Sequence, residues 1–222
     1  MDMIDFTPLI LSFKVAFLTT IILFFVSLPI AYFLAFTKSK FKPFLETIFS
    51  LPIILPSTVL GFYLLILFSD KYLGGILKKF NIELLFSFEG VVVASCIYSF
   101  PFMLSPIQSA IEQINKSLIE VSYTLGKSKI ETFFRVILPN IKRSIIVAVI
   151  LTFAHTIGEF GVVLIIGGSI PGVTEVASIA IYNYIENLDY HSAFVYSAIL
   201  LAFSFLVLFI LNILSKGFSD KS

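Results

Sequence analysis

The sequence predicts an all-α integral membrane protein with five transmembrane helices, its N-terminus outside and its C-terminus inside. Three observations carry that prediction. Hydrophobic residues make up 58% of 222 and charged ones only 13%, where a soluble domain is nearer a quarter charged. Five stretches supply the roughly 20 mostly apolar residues that a bilayer span requires. Lysine and arginine are concentrated on alternate loops, and the positive-inside rule turns that asymmetry into an orientation.

The first span, about 9–37, is free of charge from Val15 to Thr37, with Lys14 at its entry. Asp2 and Asp5 precede it instead of a basic leader, and the run is too long for a signal peptide, so it is read as a retained span. The second, about 44–69, contains Pro52 and Pro56 in SLPIILPS, which predicts a kink or break in its inner half. Asp70, Lys71, Gly74, Gly75, Lys78, Lys79, Asn81 and Glu83 make 70–89 an outer, solvated loop with room for one short helix. The third span is about 90–111, the fourth about 141–166. A turn-rich Gly167–Thr174 stretch and an amphipathic piece from Val176 to Ile185 precede the fifth, about 190–215. Residues 216–222 form a tail. Eleven Lys and Arg fall in the 37–43 and 112–143 loops and the tail. Only Lys71, Lys78 and Lys79 oppose them, and none lies between Gly167 and Asp189.

The 112–140 loop is the longest segment suited to water and a partner. Ile111, Ile114, Leu118, Val121 and Leu125 recur at helical spacing. Gly126 sits where a C-cap glycine belongs, and Ser128 with Glu131 forms a capping box that opens a second helix. That helix should carry Ile130, Phe133, Phe134, Ile137 and Leu138 on one face and Lys127, Lys129, Thr132 and Arg135 on the other. Pro139 should end it. Without further context this is an amphipathic hairpin lying on a membrane surface.

Glu120, Gly126 and Ile137-Leu138-Pro139 have the spacing of the EAA loop of type I ABC-transporter permeases, which this segment resembles; Val121 and Ser122 stand where the motif has alanines. The resemblance implies a coupling helix that seats on a cytoplasmic ATPase, with Glu120, Ser122, Leu125, Gly126, Lys127, Ser128, Phe133, Arg135 and Pro139 as the coupling residues. Gly158-Glu159-Phe160-Gly161, Ile170-Pro171-Gly172 with Thr174, and Ser99-Phe100-Pro101 are similar to the molybdate permeases, and more loosely to sulfate/thiosulfate and tungstate permeases. From that likeness follow a multi-pass protein of the prokaryotic inner membrane, a domain over residues 9–215, and an oxyanion cargo, most naturally molybdate. The same likeness implies a pathway formed by a homodimer, a cytoplasmic ATPase dimer that uses ATP and Mg, and an extracytoplasmic oxyanion-binding protein. The rival from another class is a channel or scaffold that needs no ATPase.

No catalytic chemistry is expected in this chain. Gly126-Lys127-Ser128 lacks the upstream glycine of a phosphate-binding loop, because position 121 is valine. Cys96 stands alone, and His155 and His191 form no ligand cluster, so neither a metal nor a cofactor is expected, and the near-neutral net charge gives no footprint for nucleic acid. Glu159 is the informative residue, since a carboxylate within a span is costly and usually faces a bundle interior or a cavity. Two roles are open to it: a pathway or gate residue, or a structural acceptor at a helix break between Gly158 and Gly161. His155, four residues earlier, is a candidate partner at i,i+4, with a satisfied interior histidine as the default reading. Pro52 and Pro56 complete the pathway candidates. With no Lys or Arg inside the spans except Lys14 at the entry of the first and Lys142 and Arg143 at the start of the fourth, the membrane path is expected to bind an anion weakly.

Overall fold

The computed structural model describes residues 5–216, so Asp2 and the tail beyond Lys216, including Lys221, lie outside the described residues. The described chain is helical: α1 (Thr7–Phe36), α2 (Lys42–Ile54), α3 (Ser57–Phe68), α4 (Leu73–Lys78), α5 (Phe88–Glu112), α6 (Lys116–Thr124), α7 (Lys129–Thr132), α8 (Leu138–Ile157), α9 (Gly161–Gly167), α10 (Ala177–Glu186) and α11 (Tyr190–Lys216), with a π turn at Phe133–Ile137 between α7 and α8. Four helical rods are long and apolar enough to cross a bilayer, and α2 with α3 passes the same test as a pair.

Packing centres on α5. It lies along α1 and α8, which also touch each other, and it receives α2 and α9 on its flanks. Leu34 of α1, Met103 and Ile107 of α5, Ile137 and Ala148 are all fully buried in one core cluster. A second cluster toward the other end joins Val15, Val91, Val163 and Ile179. The outward rows are equally apolar: Phe17, Phe25 and Phe33 of α1 and Leu201, Phe205 and Phe209 of α11 are exposed. A helix apolar on every side suits lipid on one face and protein on the other.

Two expected spans are interrupted. The second is more than kinked: α2 and α3 meet at 113°. Leu55 and Pro56 form the corner, where Pro56 supplies no N–H and holds an extended conformation at the start of α3. Lys42 bonds Glu112 at 2.8 Å and anchors the N-terminal end of α2 to the C-terminal end of α5. The fourth span ends at Ile157 and resumes at Gly161 as α9, which packs on α3. Glycine permits that contact. A Cβ on Gly61 would lie 2.9 Å from Ile165 Cδ1 and 3.3 Å from Val162 Cα, and one on Gly161 would lie 2.2 Å from Ser57 Oγ.

Pro139 does not end the loop helix. Helix runs unbroken from Lys129 to Ile157, 29 residues, about 43 Å at 1.5 Å per residue. The π turn explains this. Leu138 N–H reaches back five residues to Phe133 O, which widens the backbone where proline contributes no donor. The Asn140 amide caps Val136 O at 2.6 Å.

Substituting Gly61 by leucine should force α3 from α9 and lower stability by about 1–3 kcal/mol. Thermal unfolding in detergent checks this; a midpoint equal to that of the unsubstituted protein would contradict the close approach.

Candidate functional site

The loop is built from three local devices. Asn115 ends the α5 turn and caps α6, its Oδ1 accepting from Ser117 N–H at 3.0 Å. The helical row expected through residues 111–125 is therefore broken at 113–115. Ile119 and Ser122 are buried, while Leu118, Val121 and Leu125 face outward. At the end of α6, Lys127 N–H bonds Ser122 O and Gly126 N–H bonds Tyr123 O, the two bonds of a Schellman turn. Gly126 has φ +76°, and an added Cβ would meet nothing within 4 Å. Its glycine requirement is torsional, about 1–2 kcal/mol, not steric. Ser128 and Glu131 then close the expected capping box. The Glu131 carboxyl is held below its usual value, first by the Ser128 N–H and then by Lys127 at 3.3 Å. Its support for the turn is complete above the ordinary carboxylate range and is lost as pH falls through the lowered value.

Thr132, expected on the solvent side, is fully buried. Its hydroxyl meets that of Ser122 at 2.8 Å, and this pair pins α6 to α7. Phe133 turns inward and packs edge-on against Tyr32 of α1 at 5.4 Å, and Ile137 lies in the main core. Ile130 and Phe134, expected on the same face as Phe133, belong to the adjacent row and stand 72% and 59% exposed. Leu125 is 73% exposed. With Leu118 and Val121 they give the loop an apolar outer surface, edged by exposed Glu120, Ser128, Arg135 and Pro139 and by partly buried Lys127. An apolar patch rimmed by polar residues marks a docking surface.

At the far end of the 29-residue rod lies a cavity of about 400 Å³, lined by Ser57, Tyr98, Ala154, His155, Gly158, Glu159, Phe160 and Gly161. It brings His155, Glu159, Gly158 and Gly161 together. Pro52 is buried in the last turn of α2 and Pro56 is exposed at the start of α3; neither lines the cavity. His155 is the satisfied interior histidine of its default reading and does not pair with Glu159. Its ring stacks on Phe102 at 3.9 Å, and its Nδ1 lies 3.1 Å from Ser99 Oγ. The Thr156 hydroxyl donates to Thr152 O at 2.8 Å and so accepts from Ser99 at 2.9 Å. Ser99 in turn accepts from Nδ1–H, which fixes the proton on that nitrogen.

Glu159 is 4% exposed, and neither carboxylate oxygen has a hydrogen-bond partner among the described residues. The anchoring expected of its side chain is made by its main chain instead: its carbonyl accepts from Ser178 Oγ of α10 at 2.5 Å. Sequence reasoning missed Ser57, Ser95 and Thr156, and took Ser99 only as part of a motif. Ser95 and Ser99, four apart in an apolar span, were the available signal, because such a pair lies on one helix face.

Helices that cross a bilayer around a polar-lined cavity, with a structured apolar-faced loop at one end, define a multi-pass transport component. Residues 27–220 match the family model described as binding-protein-dependent transport system inner membrane component. The chain belongs to that family and is a membrane subunit of a transport system. It is 43% identical over 209 residues to a molybdenum transport system permease protein, ModB, of Azotobacter vinelandii, covering 93% of this chain and 92% of that one. It is 33% identical over 188 residues to the sulfate transport system permease protein CysT of Salmonella typhimurium, covering 83% and 68%. A probable transport system permease protein, NifC, of Clostridium pasteurianum is 29% identical over 214 residues, covering 96% and 74%.

The Ser122–Thr132 pair is testable by a double-mutant cycle. Ser122→Ala or Thr132→Val alone strands a buried hydroxyl and should cost about 1–3 kcal/mol, and the double variant should cost clearly less than the sum. Additive losses in detergent unfolding would mean that the hydroxyls do not interact.

Proposed function

We propose that this chain is the permease of an ATP-driven molybdate importer. The observation that carries the substrate is the 43% identity, near full length on both chains, to a protein named for molybdenum transport. The sulfate permeases, at 33% and shorter coverage, give the second reading. Two copies of the chain enclose the path, since a two-fold pair is the commonest assembly. The loop faces the cytoplasm, on the side the positive-inside count assigns to it, and its apolar row of Leu118, Val121, Leu125, Ile130 and Phe134 seats in an ATPase subunit. The chain binds no nucleotide itself; ATP and Mg belong to that partner. A binding protein delivers the anion to the opposite face.

The geometry supports a direct mechanical route. ATP binding draws two ATPases together and moves the seated loops. Ser122–Thr132 and the Schellman turn keep α6 and α7 from folding separately, so the displacement passes into the rod 129–157. Phe133 against Tyr32 carries part of it to α1. The rod ends at the Gly158–Phe160 break beside the cavity, where rotation of α8 against α9 alters access from either side.

Gly126→Trp places a bulky side chain in open space on the docking side, and Glu120→Lys reverses a charge at its edge. Each should still insert in the membrane but lose co-purifying ATPase, and lose molybdate uptake at least tenfold. Normal uptake by the Gly126 variant would exclude a coupling role. An unsubstituted permease that purifies without an ATPase yet conducts the anion would establish the passive channel. Competition in reconstituted vesicles separates the substrates: excess sulfate should leave molybdate uptake unchanged.

A further inference from the structure

The carboxylate of Glu159 poses a problem for any anion importer. It lines the 400 Å³ cavity, whose lining holds no Lys or Arg among the described residues, and makes no hydrogen bond or ion pair among them. Ser95, fully buried, stands beside it with its hydroxyl near enough to act on the carboxyl, though outside hydrogen-bond geometry. A bare negative charge there would be poorly solvated and would repel a divalent oxyanion. Yet the fold brings a carboxyl to this point with effort. It sits inside the break between α8 and α9, and its main chain is tied to α10 through Ser178.

We propose that Glu159 acts as a neutral, proton-bearing carboxyl that donates its O–H hydrogen bond to a tetrahedral oxyanion passing through this cavity. The site rests on the importer reading above and gives it an address. Its other donors are the hydroxyls of Ser57 on α3 and Tyr98 on α5. The volume is many times the roughly 30 Å³ of one water, so the ion enters with part of its hydration shell. A set of neutral donors holds an anion long enough to be handed on and releases it readily, which a lysine or arginine cage would not do. The proton stays on the carboxyl throughout; no bond to the anion forms. The titratable groups facing Glu159 are Tyr98 and Cys96 from α5 and His155 from α8. Ser57 of α3 and Ser178 of α10 do not titrate, and no lysine or arginine lies among them.

The test compares Glu159→Gln, Glu159→Ala and the unsubstituted chain, each assembled with its ATPase and binding protein in vesicles, by molybdate uptake across pH 6–9. Glutamine keeps a neutral donor of the same shape and should transport within about twofold of the unsubstituted protein. It should also abolish the fall in uptake that the unsubstituted protein shows as pH rises. Alanine should lose uptake at least tenfold. ATP hydrolysis stimulated by the loaded binding protein should persist in all three, which separates loss of this site from loss of coupling. A glutamine variant as inactive as alanine would show that the charged carboxylate is what matters and would overturn the proposal. Full uptake by the alanine variant would remove the cavity from the path. If the unsubstituted assembly hydrolyses ATP but moves no oxyanion, the importer reading fails instead.

Discussion

One unbroken helix, Lys129 to Ile157, is the constraint that the rest of the structure serves. Its first turns carry the exposed Ile130 and Phe134, its middle packs against α5 and α1, and its end lines the cavity beside Glu159. A flexible joint anywhere along it would dissipate displacement before it reached the membrane interior. The sequence contains an obvious place for such a joint, Pro139, and the fold removes it with a π turn and a side-chain cap. The proline then fixes φ within a continuing helix without breaking it.

The two ends of the rod are built on opposite principles. The loop end is over-determined: a Schellman turn, a capping box, an ion pair and a buried hydroxyl pair all fix α6 against α7 within about twelve residues. Such redundancy suits an element that must keep its shape under load. The cavity end is under-determined. Its helices stop short, and neither carboxylate oxygen of Glu159 has a hydrogen-bond partner among the described residues. Regions that must change access belong at this less constrained end. Between them, the core cluster that includes Ile137, Ile107 and Leu34 provides stiffness without specificity.

Much of this was legible in the residues. Hydropathy located the membrane helices, Gly126 and the Ser128–Glu131 box were placed by local backbone chemistry, and Gly158-Glu159-Phe160-Gly161 marked a break that the fold contains. What failed has physical causes. Helical periodicity ran one row from Ile111 to Leu125 and set Thr132 on the polar face, because a periodic pattern shows neither where one helix gives way to the next nor which stripe faces the protein. Rules for proline gave the wrong end of the loop helix, because the compensating π turn involves main-chain groups five residues apart. Histidine at i,i+4 from Glu159 left a pair open beside the default of a satisfied interior histidine; stacking on Phe102 and the Ser99 bond, both from another helix, make it the latter. Long-range competition of this kind is not encoded at any local spacing.

The central claim is that the loop's outer apolar row sits against an ATPase and moves with it. Cysteine cross-linking measures this directly: Leu125→Cys in an otherwise cysteine-free chain, paired with single cysteines across the ATPase groove. The account predicts efficient cross-links to the ATPase, with uptake blocked once the link is made and restored on its reduction. Failure of residue 125 to reach the ATPase in an assembled, transporting complex, or its labelling from the outer face of intact cells, would contradict it.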